Sequence, residues 1–65
     1  SKSIIDFINE IRIEKAKQLL ISSHCSVNDI SEQTGFTNSS YFYTVFKKYT
    51  GITPNEFRQA NKRAE

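Results

Sequence analysis

A chain of 65 residues is one small domain, and its net charge of +2 permits a nucleic-acid partner without demanding one. A single cysteine, Cys25, excludes an internal disulfide, and no Cys/His cluster has zinc-ligand spacing. No apolar run approaches the roughly 18 residues of a membrane span, and a lone cysteine with no signal-like start fits a reducing cytoplasm. A domain this short buries only roughly 60% of its unfolded surface, so its stability rests on efficient helix packing or on a partner domain.

The first helix is expected to start after Ser3 as N-cap and to run to about Ser22, through the strong helix formers Glu14-Lys15-Ala16-Lys17-Gln18-Leu19-Leu20. Ser26 followed by Asp29 resembles a capping box with a short acid, and opens a short second helix with Val27 and Ile30 inward. Thr34-Gly35 ends it, glycine suiting a left-handed C-terminal position. Phe36 fills the turn, and Thr37 or Asn38 caps a third helix whose Phe42, Val45, Phe46 and Tyr49 make an apolar stripe. Thr50-Gly51 ends that helix. Thr53-Pro54 starts a fourth, with Phe57 as its apolar anchor and a polar, fraying tail from Gln59 to Glu65. No strand pattern is present. The expected fold is all-α, with four helices joined by turns of about three to five residues.

The first helix is unusual. At about 100° per residue, Ile4, Phe7, Ile8 and Ile11 cluster on one side. Ala16, Leu19 and Leu20 lie about 100° or more away, with Arg12 near them. One reading is a helix that bends so that both faces meet one core. The sharper reading is that the first half packs on a domain preceding residue 1, so that the isolated chain is weakly stable or self-associates through Phe7 and Ile11.

A helix-turn-helix needs a short supporting helix, a tight turn with glycine, and a second helix with a polar outer face. Val27 to Gln33, Thr34-Gly35-Phe36 and Asn38 to Tyr49 supply these in order. With the apolar stripe inward, Ser39, Ser40, Tyr43, Thr44 and Lys47 face outward. Hydroxyls can meet donors or acceptors on base edges, and Lys47 suits a phosphate. A solvated surface helix has the same polar look, so spacing alone leaves both readings open. Beyond Asn38 the face has no Arg, Asn or Gln, which leaves bidentate base readout poorly provided for.

Several motifs then combine at characteristic spacing: Arg12 through Leu20, Ser26-Val27-Asn28-Asp29-Ile30, Gly35-Phe36, Ser40-Tyr41-Phe42, Phe46 through Gly51, and Thr53-Pro54 with Phe57-Arg58. Together they resemble the AraC/XylS family of bacterial transcription regulators, over about Ile8 to Arg58. The resemblance implies a long linking helix over residues 1–22 and, over 23–65, a homeodomain-like helix-turn-helix unit with a C-terminal helix, the second of two such units, the first preceding residue 1. It implies double-stranded DNA as partner, with Ser39, Ser40, Tyr43 and Thr44 toward the major groove, Lys47 near the backbone, and Ser26 and Val27 at a phosphate. It also makes Arg58 structural. Family members often carry Arg or Gln at the groove positions, so the hydroxyls here imply modest discrimination by this unit.

No enzyme, metal or cofactor role is expected, because adjacent His24 and Cys25 have no further ligand or base placed near them. Arg12, Lys15 and Lys17, interleaved with Glu10 and Glu14, read as a solvated, salt-bridged face. Arg58, Lys62 and Arg63 read equally as phosphate contacts or as solubilising charges. The alternative function is a protein-interaction helix-turn-helix that contacts RNA polymerase or another domain without reading bases.

Overall fold

In the computed structural model, which describes residues 3–62, four helices follow in order: α1 (Ile4–Ser22), α2 (Val27–Gln33), α3 (Ser39–Thr50) and α4 (Pro54–Ala60). The described residues contain no strand, and no helix among them is long and apolar enough to cross a membrane. Each helix starts at a side-chain cap. Ser3, Ser26, Asn38 and Thr53 sit in extended backbone and accept an N–H from the residue three places on. Asn38 rather than Thr37 therefore caps α3. At α2 the structure holds the Ser26 half of the expected box, with the Asp29 amide donating to Ser26 Oγ at 3.1 Å. The reciprocal arrangement belongs to α4, where the Thr53 amide donates to Glu56 Oε1 at 2.9 Å and the Glu56 amide donates to Thr53 Oγ1 at 3.1 Å. The Thr53 amide, then the Thr53 hydroxyl and nearby Lys47, hold the Glu56 carboxyl below its ordinary 4.5.

The reversal between α2 and α3 is hydrogen-bonded throughout. Phe36 N–H donates to the Ser31 carbonyl at 3.0 Å and Gly35 N–H to the Glu32 carbonyl at 3.1 Å. That pair of bonds is a Schellman turn, and it requires the left-handed backbone that Gly35 adopts at φ +96°. Buried Thr34 adds its hydroxyl, donating to the carbonyls of Ile30 and Ser31. Phe36 is thereby turned into the core, 5.0 Å from the Phe42 ring centroid. Around it lie Ile13, Ala16 and Leu20 of α1, Val27 and Ile30 of α2, and Phe42, Val45 and Phe46 of α3. Phe57 of α4 packs on this cluster edge-on to Phe46 at 5.5 Å, as the sequence anticipates.

The first helix departs from its expected register. Its buried side is one stripe, Asn9, Ile13, Ala16 and Leu20, and the stripe begins with a polar residue. Asn9 tolerates burial because its Nδ2 donates to Tyr41 Oη at 3.0 Å. Tyr49 Oη donates to the Asp6 carbonyl at 3.2 Å, so two tyrosines of α3 hold the first half of α1. The apolar residues of that half stay outside, with Ile4 77%, Phe7 57% and Ile11 54% exposed. The helix therefore does not bend both apolar faces into one core. Lys17 and Glu14 make the expected surface ion pair at 2.8 Å. Arg12 leaves that face, and its guanidinium lies over the Phe36 ring, 5.8 Å from the centroid. The polar tail is helical to Ala60, and Arg63 lies outside the described residues.

Arg58 is structural. Its Nε donates to the Leu20 carbonyl at 3.0 Å and its Nη2 to the Ser23 carbonyl at 3.2 Å. These carbonyls end α1 and have no partner within that helix, so Arg58 supplies the C-terminal cation that α1 lacks in its own last turn.

A β-carbon on Gly35 meets Arg12 Nε at 3.1 Å, whereas one on Gly51, at φ +85°, meets nothing within 4 Å. Gly51→Ala is expected to cost about 1–2 kcal/mol from backbone strain alone, and Gly35→Ala more. In an Arg12→Ala background the excess at Gly35 disappears, as read by urea denaturation. Arg58→Ala is expected to cost about 2–3 kcal/mol, since two charge-assisted bonds are lost, with Arg58→Lys intermediate. An unchanged urea midpoint for Arg58→Ala removes its capping role.

Candidate nucleic-acid interface

α3 is a two-sided helix. Phe42, Val45 and Phe46 are buried and Tyr49 is half-buried, while Ser40, Thr44 and Lys47 are exposed and Tyr43 is half-buried. At about 100° per residue, Ser40, Tyr43, Thr44 and Lys47 form a stripe opposite the buried one. The sequence-predicted groove residues thus share one face, apart from Ser39, which is half-buried on the flank of the same helix. The exposed Asn38 cap, whose Oδ1 accepts from the Tyr41 amide at 2.7 Å, fixes where this face begins.

The side chains on the face are not equally free. Thr44 Oγ1 donates to the Ser40 carbonyl at 3.1 Å, which leaves its methyl group and oxygen lone pairs to face outward. Tyr43 packs partly against the core, edge-on to Phe42 at 6.3 Å, and its phenol oxygen accepts from Asn55 Nδ2 at 3.3 Å. Lys47 is exposed, one turn beyond Tyr43 and Thr44. Lys48 turns aside toward Asp6, 4.0 Å away, and lies 5.7 Å from the Tyr49 ring centroid. Of the adjacent lysines, Lys47 is therefore the one on the outward stripe.

At the start of α2, exposed Ser26 uses its hydroxyl as the helix cap, and the Val27 side chain is buried. The buried Val27 side chain is thereby withdrawn from any contact made here, whereas Ser26 Oγ, which accepts from Asp29, keeps its own proton to donate beside the first-turn backbone amides. His24 is exposed, and Cys25 packs on the core with Gln33 Nε2 3.8 Å from its sulfur. The two neighbours therefore sit in different environments.

Sequence reasoning missed three residues that shape the site. Asn9 and Arg12 lie far from α3 in sequence, and only the fold brings one to Tyr41 and the other to the Gly35-Phe36 turn. Asn55 sits in α4, and no pattern within α3 could place its amide on Tyr43.

Known proteins resemble this chain in sequence and fold. A family model described as a helix-turn-helix domain matches residues 1–60. The chain is 40% identical over 63 residues to the bifunctional transcriptional activator/DNA repair enzyme AdaA of Bacillus subtilis, covering 97% of this chain and 30% of that protein. It is 43% identical over 60 residues to the xylose operon regulatory protein of Escherichia coli, covering 92% of this chain and 15% of that protein. The chain thus spans a minor part of both relatives, and in AdaA the match falls on the helix-turn-helix part alone. Among solved structures, the C-terminal domain of AraT, a response regulator from Geobacillus stearothermophilus, superposes with a TM-score of 0.91 at 38% identity, covering 98% of this chain and 53% of that one. With its capped helices, its glycine turn and its outward polar stripe, the chain belongs to the AraC/XylS-type helix-turn-helix family, the DNA-binding domains of bacterial transcription regulators.

Proposed function

We propose that this domain reads double-stranded DNA as the second of two helix-turn-helix units, with α3 in the major groove. The observation that carries this reading is the opposition of the Ser40-Tyr43-Thr44-Lys47 stripe to the buried Phe42-Val45-Phe46 stripe. Ser39, Ser40 and Tyr43 belong to the first half of the helix, where a reader helix meets base edges, and Thr44 extends that surface. Lys47 neutralises a phosphate, and the free amides at Ser26-Val27 meet the backbone on the other side. Because the groove face offers hydroxyls, phosphate contacts carry much of the affinity and base discrimination is modest.

The exposed Ile4, Phe7, Ile8 and Ile11 are the surface on which the upstream unit packs. The regulator works in the cytoplasm and associates with the nucleoid when bound.

Duplex binding by the isolated chain is expected near the non-specific range of about 10⁻⁴–10⁻⁶ M, falling steeply with salt. Lys47→Ala lowers affinity on all sequences alike and reduces the salt slope by about one, whereas Tyr43→Ala changes preference among sequences. Fluorescence anisotropy across a salt series tests both. Equal losses on every duplex from both substitutions remove Tyr43 from base reading, and no duplex binding at low salt removes the DNA reading altogether. A separate measurement addresses the apolar side of α1. Phe7→Ser suppresses self-association of the isolated chain in sedimentation and lowers the melting temperature of the full regulator. Both quantities staying at the parent value would exclude a docked unit at that face.

A further inference from the structure

The first turn of α4 lies beside the outward stripe of α3. Asn55 Nδ2 is 3.3 Å from Tyr43 Oη, and Lys47 is close enough to Glu56 to favour its carboxylate. The turn is held there firmly. Pro54 is buried at the first helical position, the Thr53–Glu56 capping box closes the N-terminus, Phe57 packs on Phe46, and Arg58 anchors the next residue to the end of α1. Asn55 is itself exposed, and its side-chain amide donates to Tyr43.

This contact biases where the Tyr43 proton points. A phenol has one O–H to give and an oxygen that accepts. The Asn55 amide nitrogen can only donate, so the Tyr43 oxygen is the acceptor of that pair, and its own proton turns away from Asn55. We infer that Asn55 is a positioning residue that presents Tyr43 to DNA as a hydrogen-bond donor. The inference rests on the reading of α3 as the groove-facing helix. Its content is a base preference. In the major groove guanine, adenine and thymine each offer an acceptor, whereas cytosine offers only its amino donor. A Tyr43 held as donor therefore disfavours cytosine at the position it faces. The α3 face, short of amides in its own sequence, thus receives one from the neighbouring helix.

The test is selection by the full regulator from a pool of duplexes randomised across one helical turn, with a binding profile for each variant. Asn55→Ala is expected to relax the bias against cytosine at one position by roughly three- to tenfold, the range of one net hydrogen bond. Tyr43→Phe does the same, and combining the two adds nothing further. Asn55→Asp, whose carboxylate accepts a hydrogen bond from the Tyr43 O–H, turns the phenol oxygen outward and makes cytosine the favoured base there, at lower overall affinity. Rescue of the parent profile by Asn55→Gln supports the same assignment. The inference is overturned if Asn55→Ala leaves the profile unchanged while Tyr43→Phe alters it. It is equally overturned if Asn55→Ala weakens binding alike with and without Tyr43→Phe, which would make Asn55 a direct contact. A DNA-free measurement separates this from failure of the groove reading. The nuclear resonance of Tyr43 Cζ shifts on Asn55→Ala if the amide bonds the phenol, and stays in place if it does not. A regulator that selects no duplex, together with a shifted resonance, sinks the groove reading but leaves the Asn55–Tyr43 pairing standing.

Discussion

The angle between α2 and α3 depends on the turn from Thr34 to Phe36. Its two backbone bonds and the left-handed Gly35 drive Phe36 into the centre of the molecule. Phe36 touches Phe42 at 5.0 Å and Tyr41 at 5.8 Å, so the first turn of α3 is packed directly on the reversal that precedes it. Arg12 closes the other side, stacked on the ring and against the glycine. A change in any of these groups alters the direction in which the polar stripe of α3 points, even though none of them belongs to that stripe.

Much of this was readable from local chemistry. Ser3, Ser26, Thr53-Pro54, Gly35 and Gly51 are punctuation whose physics acts within a few residues, and the helices begin and end where those residues place them. The buried face of α3 was legible for the same reason, since Phe42, Val45 and Phe46 repeat at helical spacing. The register of α1 was not. A pattern reading gives weight to apolar residues, and here the inward stripe opens with Asn9, whose burial makes sense only beside a tyrosine 32 residues later. Arg12 misled in a similar way, because a cation among glutamates looks like a surface charge until an aromatic ring from another segment lies under it.

The outward face of α3 shows the same division. The sequence lists its hydroxyls in order, and the helix brings Ser40, Tyr43, Thr44 and Lys47 into one row. What those hydroxyls can do is set elsewhere. Thr44 is turned by the backbone of its own helix, and Tyr43 by a residue of the next helix. A list of side-chain types thus gives the location of the surface, while the hydrogen-bonding sense of each group comes from its neighbours, in the case of Tyr43 from one twelve residues away.

The bonds from Arg58 to Leu20 and Ser23 also bear on how the chain is made. They join the end of the first helix to a residue 35 and 38 positions later. On the ribosome, α1, α2 and α3 emerge before the Arg58 contacts exist, and the carboxyl end of α1 remains hydrated until α4 is released. Completion of the fold is thereby tied to completion of translation through this segment. Nascent chains that stop short of α4 present an unfinished α1 terminus and an uncovered Phe46 edge, the kind of exposed surface that cellular proteases act on.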